Sequence, residues 1–108
     1  MPRRDDVLAG LGRFSEPALL VLISLADGPK HGYAMTQDIE AVAGQKLGPG
    51  TLYGAIARLE ARRWIEPLPP QERRRPYRIT AAGQRVLRHR LAGLQAVARV
   101  GRARLAEG

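Results

Sequence analysis

The sequence contains no cysteine and only two histidines among its 108 residues. Without cysteine there can be no disulfide and no cysteine-based zinc site. The histidines, His31 and His89, lie far apart in the chain, and no pair of carboxylates has a spacing that suggests an active site. The segment GPGT at 48–51 lacks the lysine and the glycine spacing of a phosphate loop. The inventory therefore argues against an enzyme, and we predict no catalytic residue, no metal site and no cofactor.

Long apolar runs are also missing. The longest, Ala18–Ile23, is far too short to span a bilayer. The N-terminal residues MPRRDD are not followed by the hydrophobic region of a signal peptide. We therefore expect a cytoplasmic protein with no membrane partner.

Negative charge is scarce relative to positive charge. The chain has ten acidic and 18 basic residues, so its formal net charge is +8, and 16 of the basic residues are arginine. Arginine suits bidentate contacts with phosphate and guanine, which favours a nucleic-acid partner over an acidic protein or a membrane. The length allows one small domain with a single core.

The first predicted helix begins near Ser15, a suitable N-cap, and its body at 18–26 is apolar nearly all round. A helix without a polar face has to lie in the middle of the domain. Residues 1–14 mix charges with glycine and proline, which predicts a flexible arm or a short helix. A minor-groove arm is the functional alternative for this segment.

Two further helices form a helix-turn-helix unit. One is predicted at 32–43, with Met35, Ile39 and Val42 at helical spacing and Gly44 as a stop. The next is predicted at 49–63, and its buried stripe is Leu52, Ile56 and Leu59. Only four residues separate the two helices, which is typical of a helix-turn-helix.

The outer face of the helix at 49–63 is unusually small. Opposite the buried stripe lie Gly54, Ala57, Arg58 and Ala61, with Thr51 and Tyr53 on the flanks. Small residues let a helix backbone approach a flat partner such as the major groove of DNA, or pack beneath a neighbouring helix. The sequence leaves both alternatives open.

Lys30 and His31 precede the helix at 32–43. Free amides and partial positive charge at a helix N-terminus suit a DNA phosphate, and the lysine strengthens this interpretation. For His31 the alternative is an ordinary helix cap.

A charged hairpin follows the second of these helices. Its strands are predicted at 64–68 and 75–79, and prolines near the edges suggest a two-stranded ribbon. Arg73, Arg74 and Arg75 lie at or beside its tip. They are either DNA contacts or a solvated charge run, and their position after the helix-turn-helix favours DNA.

The chain ends in a long helix capped by Thr80 and extending over about 39 Å from Ala81 to Ala106. A core this small cannot cover that length, so the surplus apolar stripe indicates a second chain. The predicted dimer interface consists of Leu87, Leu91, Leu94, Val97, Ala98 and Leu105.

Three helices, a basic hairpin and a long terminal helix make a winged helix-turn-helix, a mainly α fold with a small β-hairpin. At the level of residues, the chain resembles the PadR family of bacterial transcriptional regulators, in particular its smaller members with a single C-terminal helix. The matching segments are EPALL at 16–20, HGY at 31–33, GTLY at 50–53, RLE at 58–60 and RRPYRITAAG at 74–83. Five segments in the family's order are far more specific than any one of them.

The resemblance implies a homodimeric, sequence-specific repressor that binds a partly palindromic operator in double-stranded DNA. It also implies that a small-molecule effector releases the repressor from DNA. When bound, the protein would be associated with the nucleoid. It implies a DNA-binding domain at 15–80 and a dimerisation helix at 81–108. Thr51, Tyr53 and Arg58 match the DNA-facing region of the recognition helix, and Arg73–Arg75 match the wing tip. Tyr33 matches a tyrosine that lies near DNA or in the core. Many members have glycine after the RLE segment where this chain has Arg63.

The resemblance leaves the effector open. Some small members bind flat aromatic compounds between subunits, but this chain has no aromatic residue after Tyr77. The principal alternative function is a winged-helix protein interaction module without specific DNA binding, because a fold does not fix a function.

Overall fold

The computed structural model describes residues 16–107 as four helices and a small antiparallel sheet, which confirms the predicted fold class. The predictions for residues 1–14 lie outside the described residues. In chain order, the elements are α1 (Pro17–Ala26), β1 (Lys30–His31), α2 (Gly32–Ala43), α3 (Pro49–Ala61), β2 (Ile65–Pro67), β3 (Pro76–Ile79) and α4 (Ala81–Glu107).

Helix α1 lies at the centre of the domain, as its apolar sequence predicts. It packs against α2, α3, α4 and β3. Its N-cap is Glu16, one residue later than predicted, because Pro17 takes the first helical position, where its missing N–H costs nothing. The core around α1 consists of Leu19, Leu20, Val21, Leu22, Leu25, Met35, Ile39, Leu47, Leu52, Ala55, Ile56, Leu59, Ile65 and Leu87.

Helices α2 and α3 form the helix-turn-helix. The predicted bounds of α2 are confirmed, and Gly44 ends it in the left-handed conformation with φ of 65°. Val42 was predicted on the inner stripe, but it is exposed because the last turn of α2 contacts the core through Ala43 instead. The predicted stripe of α3 is confirmed, with Leu52, Ile56 and Leu59 all buried.

The sheet has three strands in the order β1-β3-β2, so the prediction of a two-stranded ribbon was wrong. Strand β1 pairs with β3 through Lys30 opposite Tyr77 and His31 opposite Pro76. A strand of two residues is too short to show an alternating pattern, which is why the sequence did not reveal it. The wing is consequently attached along β1 to the start of α2.

Helix α4 begins at the predicted cap. The amide of Gly83 donates to Thr80 Oγ1 over 3.1 Å, and this hydroxyl donates to the carbonyl of Arg63 over 2.8 Å. Only Gly83 and Leu87 of α4 are buried, and every residue from 88 to 107 is exposed. The last five turns of α4 therefore extend away from the rest of the domain. With α4 included, the longest dimension of the described chain is 54 Å.

The turn after α3 holds a non-glycine residue in a left-handed conformation. Helix α3 ends at Ala61, two residues earlier than predicted, and Arg63 has φ of 61°. This conformation costs an L-residue with a β-carbon about 1 kcal/mol or more, whereas glycine adopts it freely. We expect Arg63→Gly to raise the free energy of unfolding by about 0.5–1 kcal/mol and the Tm by about 5 °C, measured by thermal denaturation.

The control for this prediction is Arg63→Ala, which removes the same charged side chain but keeps a β-carbon. It should show none of the gain. An equal rise in Tm for both variants would mean that lost charge repulsion, rather than the left-handed turn, explains the effect.

Candidate nucleic-acid interface

No element within residues 16–107 covers the outer face of α3, so no helix in this part of the chain packs over its small residues. Thr51, Tyr53, Ala57 and Arg58 are exposed, and Tyr53 retains 55% of its accessible surface. The side chain of Arg58 lies along this face: a β-carbon added at Gly54 would be in ordinary van der Waals contact with its Nη1, at 3.6 Å. The face is therefore a shallow surface with two long polar side chains.

Tyr53 connects this face to the start of α2. Its hydroxyl lies against Gly32, where an added β-carbon would approach Tyr53 Oη within 2.5 Å. Tyr33, on the first turn of α2, is 63% exposed, which excludes the core alternative for this residue, and its hydroxyl accepts from Gln37 Nε2 over 3.3 Å. Two exposed tyrosines thus lie beside the helix-turn-helix junction.

Lys30 has a different environment from the one predicted. Its ammonium donates to the carbonyl of Ser24 over 2.6 Å and lies 3.5 Å from Asp27 Oδ2, and its side chain is 16% exposed. The buried hydroxyl of Ser24 donates in turn to Asp38 Oδ2 over 2.7 Å. Lys30 is thus engaged by the end of α1 and by α2, so its position does not support the predicted phosphate contact.

His31 caps α2, as its structural alternative proposed. The amide of Ala34 donates to His31 Nδ1 over 3.3 Å. The other ring nitrogen, Nε2, lies 3.2 Å from Nη1 of Arg74 in the wing. The contact joins residues 43 positions apart, and no local signal in the sequence could have indicated it.

The tip of the wing is a closed hairpin. Gln71 and Arg74 exchange two backbone hydrogen bonds, of 2.8 and 3.0 Å, and Glu72 between them has φ of 59°. Arg73, Arg74 and Arg75 are all exposed. Across the β2-β3 pair, Arg78 forms an ion pair with Glu66. The free positive charge of the wing is therefore concentrated at 73–75.

Tyr77 on β3 lies between the wing and α3. Burial raises the pKa of its phenol, Glu60 and Tyr53 raise it further, and Arg75 opposes them. These groups come from α3 and from the wing. Together with the contacts of Gly32 and His31, they indicate that α3, the start of α2 and the wing form one continuous surface.

The exposed part of α4 carries an apolar stripe. Leu91 is 38% exposed and Leu94 is 49% exposed, and Val97, Val100 and Leu105 are more open than Leu91. Leu91 and Leu94 line a groove with Ala98 on this helix. Leu87 was predicted to contact a second chain, but it is buried in the core of its own chain and is not available to a partner.

Trp64 lies at the base of the wing. Its ring is 5.0 Å from the guanidinium of Arg62, and it lines a cavity of about 170 Å³ together with Leu22, Leu59 and Val86. The cavity lies where α1, α3 and α4 meet.

No helix within residues 16–107 is long and apolar enough to cross a membrane.

Comparison with known proteins identifies relatives in sequence and in fold. A model of the transcriptional regulator PadR-like family matches residues 20–89. A curated relative, an uncharacterized 37.1 kDa protein in transposon TN4556 of Streptomyces fradiae, is 52% identical over 75 residues. That match covers 69% of this chain but 22% of the relative, so the chain spans about a fifth of the relative's length.

Solved structures with the same fold match most of the chain. A PadR family transcriptional regulator from Eggerthella lenta is 28% identical with a TM-score of 0.71, and the match covers 91% of this chain and 92% of that one. A transcriptional regulator from Clostridium thermocellum is 26% identical with a TM-score of 0.71, over 92% of this chain and 94% of that one.

Proposed function

Because the chain belongs to the PadR-like family of transcriptional regulators, we propose that it is a homodimeric repressor that binds a partly palindromic operator through α3 and the wing. Family members regulate transcription by binding DNA. The repressor activity, the dimer, the residues that contact DNA and the release by an effector are the parts that we propose for this chain.

One observation supports the DNA-binding surface most directly. Tyr53 of α3 touches Gly32 at the start of α2, His31 touches Arg74, and Arg74 belongs to the arginine-rich wing tip. An exposed helix face and a positively charged hairpin therefore adjoin without a gap. Such a surface offers phosphate contacts from arginine beside a helix face small enough to enter a major groove.

We assign two roles within this surface. Side chains on α3 and the first turn of α2 are proposed to contact base edges or the groove wall, and those of the wing to contact phosphates. The proposed contacts are Tyr33, Thr51, Tyr53, Gly54 and Arg58 for the first role, and Arg73, Arg74 and Arg75 for the second. Lys30 is omitted because its ammonium is engaged by Ser24 and Asp27.

The dimer is proposed to form through α4, with residues 15–80 as the DNA-binding unit of each subunit and 81–108 as the dimerisation helix. Its contacts are Leu91, Leu94, Val97, Ala98 and Leu105. An effector can release DNA only by binding more tightly to a dimer arrangement that has low affinity for the operator. Such an arrangement would change the distance between the two wings.

The test is selection of genomic DNA fragments by the purified full chain at near-physiological salt, followed by affinity measurements at several KCl concentrations. We expect enrichment of a partly palindromic site. We also expect the logarithm of the affinity to fall with the logarithm of the salt concentration, by about 0.9 for each phosphate contacted. A folded protein with no enriched site and a flat salt response would favour the protein interaction module.

The wing contributes affinity without sequence preference in this proposal. Replacing Arg73, Arg74 and Arg75 together by alanine should weaken binding to any duplex about a hundredfold at low salt and make the salt slope shallower by up to about 5.4, because the dimer loses six arginines. The matched control is Arg85→Ala with Arg88→Ala and Arg90→Ala, which removes the same charge from α4 at residues that do not line the groove of Leu91 and Leu94. A slope that changes equally in both triple variants would mean that the net charge, and not the wing, determines the effect.

A further inference from the structure

The contact between His31 and Arg74 places two hydrogen-bond donors opposite each other. A neutral imidazole has one acceptor nitrogen and one N–H. In this structure Nδ1 is the acceptor, because it receives the backbone N–H of Ala34 at the start of α2. The hydrogen of the ring therefore lies on Nε2, which is 3.2 Å from Nη1 of Arg74. A guanidinium nitrogen can only donate, so neither group satisfies the other.

An acceptor beside the two nitrogens would satisfy both groups at once. The required ligand is an anion with at least one exposed oxygen, because one of the two donors carries a full positive charge. Both donors lie on the surface that adjoins α3, where DNA is proposed to bind. No carboxylate within residues 16–107 forms an ion pair with Arg74: Asp27 and Asp38 lie within 4.0 Å of Lys30, and Glu66 pairs with Arg78.

We propose that His31 Nε2 and the Arg74 guanidinium together bind one phosphate of the DNA backbone. The proposal rests on the proposed DNA-binding function and adds a named phosphate site to it. One donor belongs to the helix-turn-helix and the other to the wing, so the shared phosphate couples these two parts of the surface. Capping and phosphate binding use opposite nitrogens of the same ring, so His31 performs both at once.

The decisive variant is His31→Asn, because asparagine is among the best N-caps and its side-chain oxygen can accept from Ala34 in place of Nδ1. It keeps the cap but removes Nε2. The partner variant is Arg74→Gln, and the two are combined in a double variant. Arg73→Gln, alone and with His31→Asn, is the matched control, because it removes the neighbouring wing-tip arginine. Binding of the full chain to a fluorescent 24-base-pair duplex is measured at several KCl concentrations, and each variant is melted to verify that it folds.

We expect His31→Asn to weaken binding about tenfold with an unchanged salt slope, since a neutral donor releases no counterion. Arg74→Gln should weaken binding at least as much and make the slope shallower by about 1.8, because the dimer loses one arginine from each wing. The double variant should bind within about twofold of Arg74→Gln alone, whereas His31→Asn and Arg73→Gln should combine as the product of their separate effects.

Two results would overturn the shared site. One is a folded His31→Asn variant that binds like the wild type. The other is a double variant whose loss equals the product of the two single losses, which would mean that the groups act independently. Absence of any duplex binding by the wild type is a distinct result, because it would remove the DNA-binding function itself.

Discussion

Replacing both Leu91 and Leu94 by aspartate should produce a monomer that binds the operator about a thousandfold more weakly. These leucines lie on the exposed apolar stripe of α4 and line its groove. Two carboxylates on each copy of this stripe would lose hydration on dimerisation and would repel one another across the interface, so the dimer should not form. Each subunit would then hold one half-site alone and lose the gain in effective concentration that a linked pair provides, typically 10²–10⁴-fold.

The measurement is sedimentation equilibrium combined with affinity for the selected operator. Ala92→Asp with Ala103→Asp is the control, because it adds the same two charges to exposed positions of α4 that line neither the groove of Leu91 and Leu94 nor the patch around Val97. This control should stay dimeric and retain specific binding, apart from a small loss from added negative charge. A dimer that survives the leucine substitutions would place the interface on another surface.

Replacing Gly83 by alanine should cost about 3 kcal/mol or more of unfolding free energy. A β-carbon at this position would lie 2.1 Å from the carbonyl oxygen of Trp64 and 2.9 Å from Ile79. The Trp64 carbonyl cannot easily move, because it accepts the amide of Thr80 over 2.9 Å at the cap of α4. Because the clash involves rigid backbone on one side, the loss of stability should lie at the upper end of the range for overpacked cores.

The expected readout for Gly83→Ala is a drop in Tm of about 15 °C or more in thermal denaturation. Gly93→Ala is the control on the same helix, where an added β-carbon meets no atom within 4 Å. It should leave the stability unchanged or raise it by up to about 1 kcal/mol, since alanine favours helix. Similar melting of both variants would show that the first turn of α4 does not pack on Trp64.

The sequence predicted the helices well because their signals are local and repeated. The stripe of Leu52, Ile56 and Leu59 recurs at helical spacing, and Thr80 and Gly44 mark a start and an end. The exposed face of α3 followed from the same periodicity, because residues opposite a buried stripe point outward. The resemblance to PadR regulators added the family, and the family model that matches residues 20–89 confirms the resemblance.

The missed features depend on contacts between distant residues. Strand β1 exists because Lys30 and His31 lie beside Tyr77 and Pro76, and two residues show no pattern of their own. The inward position of Lys30 was missed for the same reason, because its partner, the carbonyl of Ser24, belongs to the end of α1. Leu87 continues the stripe of α4 without interruption, so the sequence could not show where the core ends and the exposed stripe begins.

The close approach at Gly83 did leave a signal. Glycine weakens a helix relative to alanine, so a glycine in the first turn of α4 suggests a packing reason. The left-handed turn at Arg63 left a similar signal, because many family members have glycine there. In both cases the sequence marked the position, but only the structure identified the neighbouring atoms.

The order of the sheet also bears on how the protein behaves at high concentration. Its longest strand, β3, lies in the middle and has both edges paired, while the outer strands β1 and β2 have two and three residues. Short outer strands offer few free backbone groups for strand exchange between molecules, and Pro67 at the end of β2 has no N–H to donate. With arginines crowded around the hairpin, strand-mediated aggregation through the wing is strongly disfavoured, and concentrated solutions should stay free of β-rich precipitate.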